Sequence, residues 1–186
     1  QRVVDSADAL KQAWQDFGSP PSIAEGLVDF DCEVSLIGVR SARGQIAFYS
    51  LSENTHRDGM LASTFAPFVD DALERQAQNW MSTMMQGAGY VGVLTIEFFV
   101  AGGRLVANEI APRVHNSGHW TIDGSSCSQF ENHVRAVAGL PLGDTRTTAS
   151  AVEMRNIIGS QIDGAHALLN DNAAHLHDYG KAEASE

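Results

Sequence analysis

Residues 91–100 and 104–110 are two apolar runs joined by Ala101-Gly102-Gly103, and each run carries one acid, Glu97 in the first and Glu109 in the second. The pattern predicts a hairpin, because glycine adopts the left-handed backbone of tight turns while the flanking β-branched and aromatic residues favour extended chain. Carboxylates set among Val, Leu, Ile and Phe are costly to bury alone, so each needs a hard cation, a positive side chain or water. Register decides whether the two meet. A simple two-residue turn at Gly102-Gly103 pairs Glu97 with Asn108 and turns Glu109 to the opposite face, whereas a bulge lets the acids converge. Converged, they suit Mg²⁺, which takes oxygen ligands and retains water. Left apart, they are ion-paired or solvated charges.

The rest of the chain supplies helices and further strands around this hairpin. Residues 5–17 place Leu10, Ala13, Trp14 and Phe17, with Val4 just before them, on one helical stripe, with Asp5 or Ser6 as cap and Gly18-Ser19-Pro20-Pro21 as the stop. Strand character is predicted for 23–28, 33–39 and 45–51. Asp70 opens a long helix ending near Gln86, whose buried stripe is read as Leu73, Ala77, Trp80, Met81, Met84 and Met85, with methionine as core filler. A last amphipathic helix is predicted over 128–138, then a linker over 139–150 and a short strand over 154–158. The expected fold class is α+β with an antiparallel sheet and packed helices, divided into a body at 1–140 and a smaller, incomplete unit at 141–186.

Charge and composition narrow the function. Twenty-three acidic residues against twelve basic ones leave a net charge of −11, which disfavours a nucleic-acid surface but leaves room for a local anion pocket. There is no signal-like start and no apolar run long enough to span a membrane, so a cytoplasmic protein without membrane attachment is expected. Cys32 and Cys127 are isolated and read as buried thiols. A small-molecule ligand is the expectation.

Glu109-Ile110-Ala111-Pro112-Arg113-Val114-His115-Asn116-Ser117-Gly118-His119-Trp120 concentrates the candidates. Arg113 can hold an anion beside Glu109, and His115, Asn116, Ser117 and His119 can bind a second substrate or stabilise their own loop. Upstream, Glu25 can accept from ribose hydroxyls and Glu33 can order a neighbouring cation or polar network; both can equally be solvated strand-edge charges. In Glu53-Asn54-Thr55-His56-Arg57-Asp58-Gly59, His56 and Arg57 can face a phosphate or be surface residues.

Taken with Ala24-Glu25-Gly26, Cys32-Glu33-Val34-Ser35-Leu36 and Thr95-Ile96-Glu97-Phe98-Phe99, these motifs resemble the N5-carboxyaminoimidazole ribonucleotide synthase family of ATP-grasp enzymes. The resemblance implies the second subdomain of an ATP-grasp domain followed by the start of a small C-terminal domain. It implies ATP-dependent carboxylation of 5-aminoimidazole ribonucleotide with bicarbonate through carboxyphosphate, in a homodimer. By residue, it implies Mg²⁺ (or Mn²⁺) on Glu97 and Glu109, with nucleotide contacts from Glu25, Glu33 and Asn108. His56 and Arg113 would stabilise phosphate, bicarbonate or carboxyphosphate, and Asn116, Ser117 and His119 would bind the second substrate. Many ATP-grasp proteins place Asn two residues after the second metal-binding Glu, where this chain has Ala111.

The resemblance also implies an internal-to-C-terminal portion of the enzyme, without the lysine-bearing ATP-grasp half and its glycine-rich flap. Such a chain is expected to be inactive alone. The alternatives are another ATP-grasp carboxylate–amine ligase and a noncatalytic oligomerisation or binding module.

Overall fold

A computed structural model describes residues 2–180. Seven strands form one sheet: β1 (Cys32–Arg40), β2 (Ile46–Phe48), β3 (Ser52–Arg57), β4 (Met60–Ala66), β5 (Gly92–Ala101), β6 (Arg104–Ala111) and β7 (Val152–Arg155). The order is β6-β5-β1-β3-β4-β7, and β2 pairs with β1 beyond the end of β3. Neighbouring strands run antiparallel. Four α-helices accompany the sheet: α1 (Ala7–Asp16), α2 (Asp71–Gly87), α3 (Thr121–Gly124) and α4 (Gln129–Val137). The fold is α+β, and no helix among the described residues is long and apolar enough to cross a membrane.

β1 is the axis of the core. Val34 to Val39 are all buried, a continuous run that arises because both faces of the sheet are covered here. On one face Val34, Leu36, Leu94, Ile96, Phe98, Val100 and Leu105 meet Leu73, Ala77, Met81 and Met85 of α2. The helix approaches so closely that a Cβ on Gly38 would lie 2.2 Å from the Met81 sulfur. Asp70 caps α2, its carboxylate accepting from the amides of Ala72 and Leu73 at 3.0 Å each. On the other face Ile37, Val39, Tyr49, Val93, Trp120 and Ala136 form a second cluster under α3 and α4. That cover stops short of Glu33 and Ser35, so the same face becomes polar toward the start of β1.

Several expectations are corrected. Residues 23–28 form no strand; they gain no ladder partner, and Ile23 and Leu27 are each 84% exposed. β3 and β4 are a hairpin that hydrophobic alternation conceals, since β3 reads Ser-Glu-Asn-Thr-His-Arg. Its turn rests on Asp58 and Gly59, both at positive φ (52° and 75°), the backbone that a two-residue hairpin turn requires. In α2 the buried line is Leu73, Ala77, Met81 and Met85, while Trp80 and Met84 remain 40% and 36% exposed on the flank. α1 forms with Ser6 as its cap, yet Ala13 is its one buried residue, and Leu10, Trp14 and Phe17 stay exposed. β2 is shorter than the predicted 45–51, and β7 begins two residues before the predicted 154.

α4 forms as expected but turns polar residues inward. Gln129 and Asn132 are fully buried, whereas Phe130, Val134 and Val137 are exposed. The inward side chains are satisfied: the Asn132 amide donates to the Tyr49 hydroxyl at 2.8 Å and accepts from the Gly143 amide at 2.7 Å. The expected linker 139–150 is fastened to the body by Thr145, whose hydroxyl donates to the Phe48 carbonyl, and by the Thr148 amide on the Gly124 carbonyl. Beyond it β7 pairs with β4 and extends the sheet. The end of the 141–186 unit, residues 181–186, lies outside the described residues.

The packing of α2 sorts its methionines. Met81→Ala is expected to lose about 2–5 kcal/mol of folding stability, and Met84→Ala less than about 0.5 kcal/mol, in denaturant titrations of the chain. Equal losses would contradict the helix orientation described here.

Candidate active site

The β5–β6 hairpin pairs regularly from Ala101↔Arg104 to Phe98↔Ala107, after which the register shifts and Glu97 lies opposite Glu109. Asn108 is the extra residue, and its insertion returns Glu109 to the face that Glu97 occupies. This is the bulge on which convergence of the two acids depends. Ser35 is the partner of Glu97 across β1, and Glu33 lies two residues away on the same face. On the far side of β1, Ser52 pairs with Ser35 and Asn54 with Glu33, so one stretch of sheet presents a polar patch built from four strands.

The chain leaves β6 and folds back over this patch. His115 caps a short 3₁₀ turn (Asn116–Gly118), its Nδ1 accepting from the Ser117 amide at 3.4 Å. Gln129 holds the His115 backbone at both ends, accepting from its amide at 3.0 Å and donating to its carbonyl at 2.6 Å. Gly118 is needed for that approach, because a Cβ there would lie 2.6 Å from Gln129 Oε1 and 2.3 Å from Ile37 Cδ1. The ring then sits between the acids, with Nδ1 3.6 Å from Glu97 Oε1 and Nε2 3.8 Å from Glu109 Oε1. Glu97, Glu109 and His115 each offer a ligand atom within 4.8 Å of the others.

Burial sets the charges. Glu97 is 9% exposed, and its pKa is raised, first by desolvation and then by Glu109, with His56 and Arg113 acting in the opposite sense. His115 is pushed down, again first by burial and next by Arg113. Burial thus favours the neutral ring, which withholds positive charge from the two acids. Glu109 has a side chain 58% exposed, so one acid is dry and the other opens to solvent. One buried and one accessible carboxylate form an oxygen donor set that fits a hard divalent cation with water on its outer side.

The remaining candidates fall into three groups. His56 Nδ1 is ion-paired with Glu33 Oε2, and both are felt electrostatically at Glu97. Arg113 is exposed, its guanidinium donating to the Val114 carbonyl at 2.9 Å, and Asn108 sits exposed at the bulge. Around the turn, Asn116 is half-buried, and His119 lies tilted against Phe130 at 5.4 Å with the Tyr179 hydroxyl 3.0 Å from its Nδ1. Burial lowers the His119 pKa, as does His177. Ser117, expected at the substrate surface, is fully buried and meets Ser35 and His115. Glu25 stands apart, exposed in the irregular stretch before β1, and makes no hydrogen bond or ion pair among the described residues.

Sequence reasoning placed His115 among residues that bind a second substrate or stabilise their own loop, not between the acids, and gave no role to Ser35, Ser52 or Gln129. Ser35 was within reach, because a residue two beyond Glu33 in a strand shares its face. Gln129 carries no such signal, being fourteen residues from the backbone it clamps.

The ATP-grasp domain family matches residues 1–130, and the phosphoribosylaminoimidazole carboxylase C-terminal domain family matches residues 152–186. The chain belongs to the ATP-grasp family. Within it, the chain is 47% identical to the N5-carboxyaminoimidazole ribonucleotide synthase of Pseudomonas aeruginosa over 182 residues, 98% of this chain and 50% of the relative. It is 44% identical to that of Escherichia coli over 160 residues, 86% of this chain and 44% of the relative. The crystal structure of the N5-carboxyaminoimidazole ribonucleotide synthetase from Thermus thermophilus superposes with a TM-score of 0.88 at 46% identity, over 95% of this chain and 49% of that one. The Aspergillus clavatus synthase in complex with ADP and 5-aminoimidazole ribonucleotide gives 0.87 at 30% identity, over 98% and 50%. The chain thus spans about half the length of the curated relatives it matches.

The raised pKa of Glu97 has a stability consequence with a definite sign. Stability associated with a raised carboxyl is present below its unfolded value, about 4.3, and is lost as pH rises through the folded value. In metal-free buffer at pH 8, Glu97→Gln is therefore expected to melt at a higher temperature than the unaltered chain, and the gap should close as pH falls to about 4.5. A variant that melts lower at pH 8 would show that Glu97 is compensated within the fold.

Proposed function

We propose that this chain is the ATP-grasp portion of an enzyme that carboxylates 5-aminoimidazole ribonucleotide with ATP and bicarbonate, giving N5-carboxyaminoimidazole ribonucleotide, ADP and phosphate. The observation that carries the reading is the bulge at Asn108, which sets Glu97 against Glu109 beside His115 and Arg113 in a chain so similar to enzymes of that name. The boundary between 1–140 and 141–186 is likewise proposed, supported by the two family matches on either side of it.

Glu97 and Glu109 would hold Mg²⁺, or Mn²⁺ in its place, which when bound neutralises polyphosphate charge and aligns phosphoryl transfer. Glu97 needs such a partner, being desolvated beside a second acid. Ala111 is buried and offers no side-chain ligand, so the carboxylates are the protein's contribution to the shell. Arg113, which is exposed, would receive the carboxyphosphate anion formed when bicarbonate oxygen attacks the γ-phosphoryl group and ADP leaves. His56, held by Glu33, is assigned to the same anion as a ring donor. Asn116 and His119 would orient the imidazole substrate so that its exocyclic amine attacks the carbon of carboxyphosphate and phosphate leaves. Glu25, Glu33 and Asn108 are assigned to the nucleotide, Glu25 through its exposed carboxylate. Ser117 supports the second substrate through His115. The homodimer and the cytoplasmic setting belong to the same proposal.

A chimera provides the test: this chain replaces the matching half of the Pseudomonas aeruginosa relative, and bicarbonate-dependent product is measured. The chimera is expected to carboxylate 5-aminoimidazole ribonucleotide, with the chain alone giving no product. Glu109→Gln in the chimera should lower the rate roughly a hundredfold, about 3 kcal/mol of transition-state stabilisation. Phosphate release that requires an amino acid instead of bicarbonate would assign the site to a different carboxylate–amine ligase.

A further inference from the structure

Behind His115, and out of contact with solvent, lies a file of hydroxyl groups of which the proposed chemistry calls on Ser117 alone. Ser35, Ser52 and Ser117 are each fully buried. The Ser35 hydroxyl donates to Ser117 Oγ at 2.9 Å, Ser35 and Ser52 hydroxyls meet at 3.1 Å, and Ser117 Oγ lies 3.0 Å from His115 Nδ1. The file starts on β3, crosses β1 and ends at the imidazole.

Its direction follows from the donors. The Ser117 amide has one hydrogen and aims it at His115 Nδ1, so that nitrogen presents its lone pair. The Ser117 hydroxyl must then donate to the same nitrogen, which leaves its oxygen to accept, and Ser35 supplies the hydrogen. Ser35 Oγ, its own hydrogen spent on Ser117, is left to accept from Ser52, whose one hydrogen is shared with the Ser35 carbonyl at 3.3 Å. The Ser35 and Ser117 hydroxyls donate toward the ring, and the ring's own proton is left on Nε2, on the side of Glu109.

We infer that Ser35 is a positioning residue for His115: acting through Ser117, it orients a hydroxyl onto Nδ1 and thereby fixes the ring's tautomer and direction. Without the Ser35 donor, the Ser117 hydroxyl is free to turn its hydrogen into the vacated direction, and Nδ1 keeps only the long bond from the amide. Packing alone does not require a hydroxyl at this position, since Ile37 and Val39, the next inward residues on the same face of β1, are apolar. Gln129 fixes the backbone of His115, and the serine file fixes its ring. The bearing of this on catalysis rests on the reading of the site given above, whereas the hydrogen-bond file itself does not.

The test is nitrogen NMR of the histidine rings in the chain itself, with His115 assigned through its loss in His115→Asn. Ser117→Ala is expected to move the Nδ1 resonance toward the value of an imidazole nitrogen that accepts no hydroxyl. Ser35→Ala, which deletes nothing that touches the ring, should move it the same way by at least about a tenth of that displacement, the share one hydrogen bond passes to the next. Ser35→Thr, which keeps the hydroxyl, should restore it. The control is Thr64→Val, which removes another buried hydroxyl of this sheet, one that donates to Asn54 Oδ1 at 3.0 Å. An unmoved Nδ1 in Ser35→Ala, or an equal shift in Thr64→Val, would overturn the inference. Should Ser35→Ala not fold, Ser35→Cys, which puts a weaker donor in the same place, carries the same test and should move Nδ1 in the same direction. No turnover is involved, so a chimera that fails to carboxylate would defeat the functional reading and leave this one standing.

Discussion

A carboxylate withdrawn from water beside a second carboxylate is the least comfortable arrangement in this fold, and the hairpin enforces it. Regular pairing resumes on the far side of the bulge, with Ile96 opposite Ile110 and Thr95 opposite Ala111, so Asn108 cannot be absorbed by letting the strands slip. Slippage by one residue would carry every side chain of β6 to the wrong face, Leu105 out of the core included. The apolar half of the hairpin thus holds the polar half in place. Core packing against α2, worth about 1.5–3 kcal/mol for each large apolar side chain buried, offsets the repulsion between the acids.

That division of labour runs through the sheet. One face is apolar along β1 and β5 and belongs to α2; the other is apolar only where α3 and α4 cover it and polar where Glu33, Ser35 and Glu97 lie. The boundary between these regions is guarded by α4, whose buried Gln129 reaches the loop above the acids and whose buried Asn132 reaches Tyr49 in the adjoining core. A helix with an apolar inner face could cover the sheet equally well, but it would leave the His115 amide and carbonyl without these two partners. Buried polar groups raise specificity in this way only when they are satisfied.

What could be read from the sequence tracks how local each determinant is. Helix α2, with Asp70 as its cap, and the β5–β6 hairpin announce themselves through periodicity and glycine punctuation within a few residues. The need for a bulge was also legible, because counting back from Gly102-Gly103 shows the acids to be out of phase. Ser35 needed only the alternation of a strand. By contrast the β3–β4 hairpin was hidden, since its inward residues are hydrophilic and serve the polar patch; Asp58-Gly59 was its sole clear mark. The orientation of α4 was hidden for a related reason, that its apolar side chains face outward and its amides inward. The segment 23–28 misled in the opposite sense, its apolar residues suggesting a strand that has no neighbour to pair with.

The electrostatics of the site follow from the same placement. Desolvation raises Glu97 and lowers His115, so burial drives both groups toward neutrality and the patch sheds charge when left to itself. A divalent cation between Glu97 and Glu109 would reverse the first shift and strengthen the second, ionising the acid while keeping the imidazole neutral. The two responses are compatible only if the ring is not itself recruited as a charged partner of the acids. The Ser117 amide and hydroxyl meet that condition by occupying Nδ1, the nitrogen nearer to Glu97. His115 then stands beside the acids as a neutral group with one N–H to offer, and its orientation is set by residues that never reach the surface.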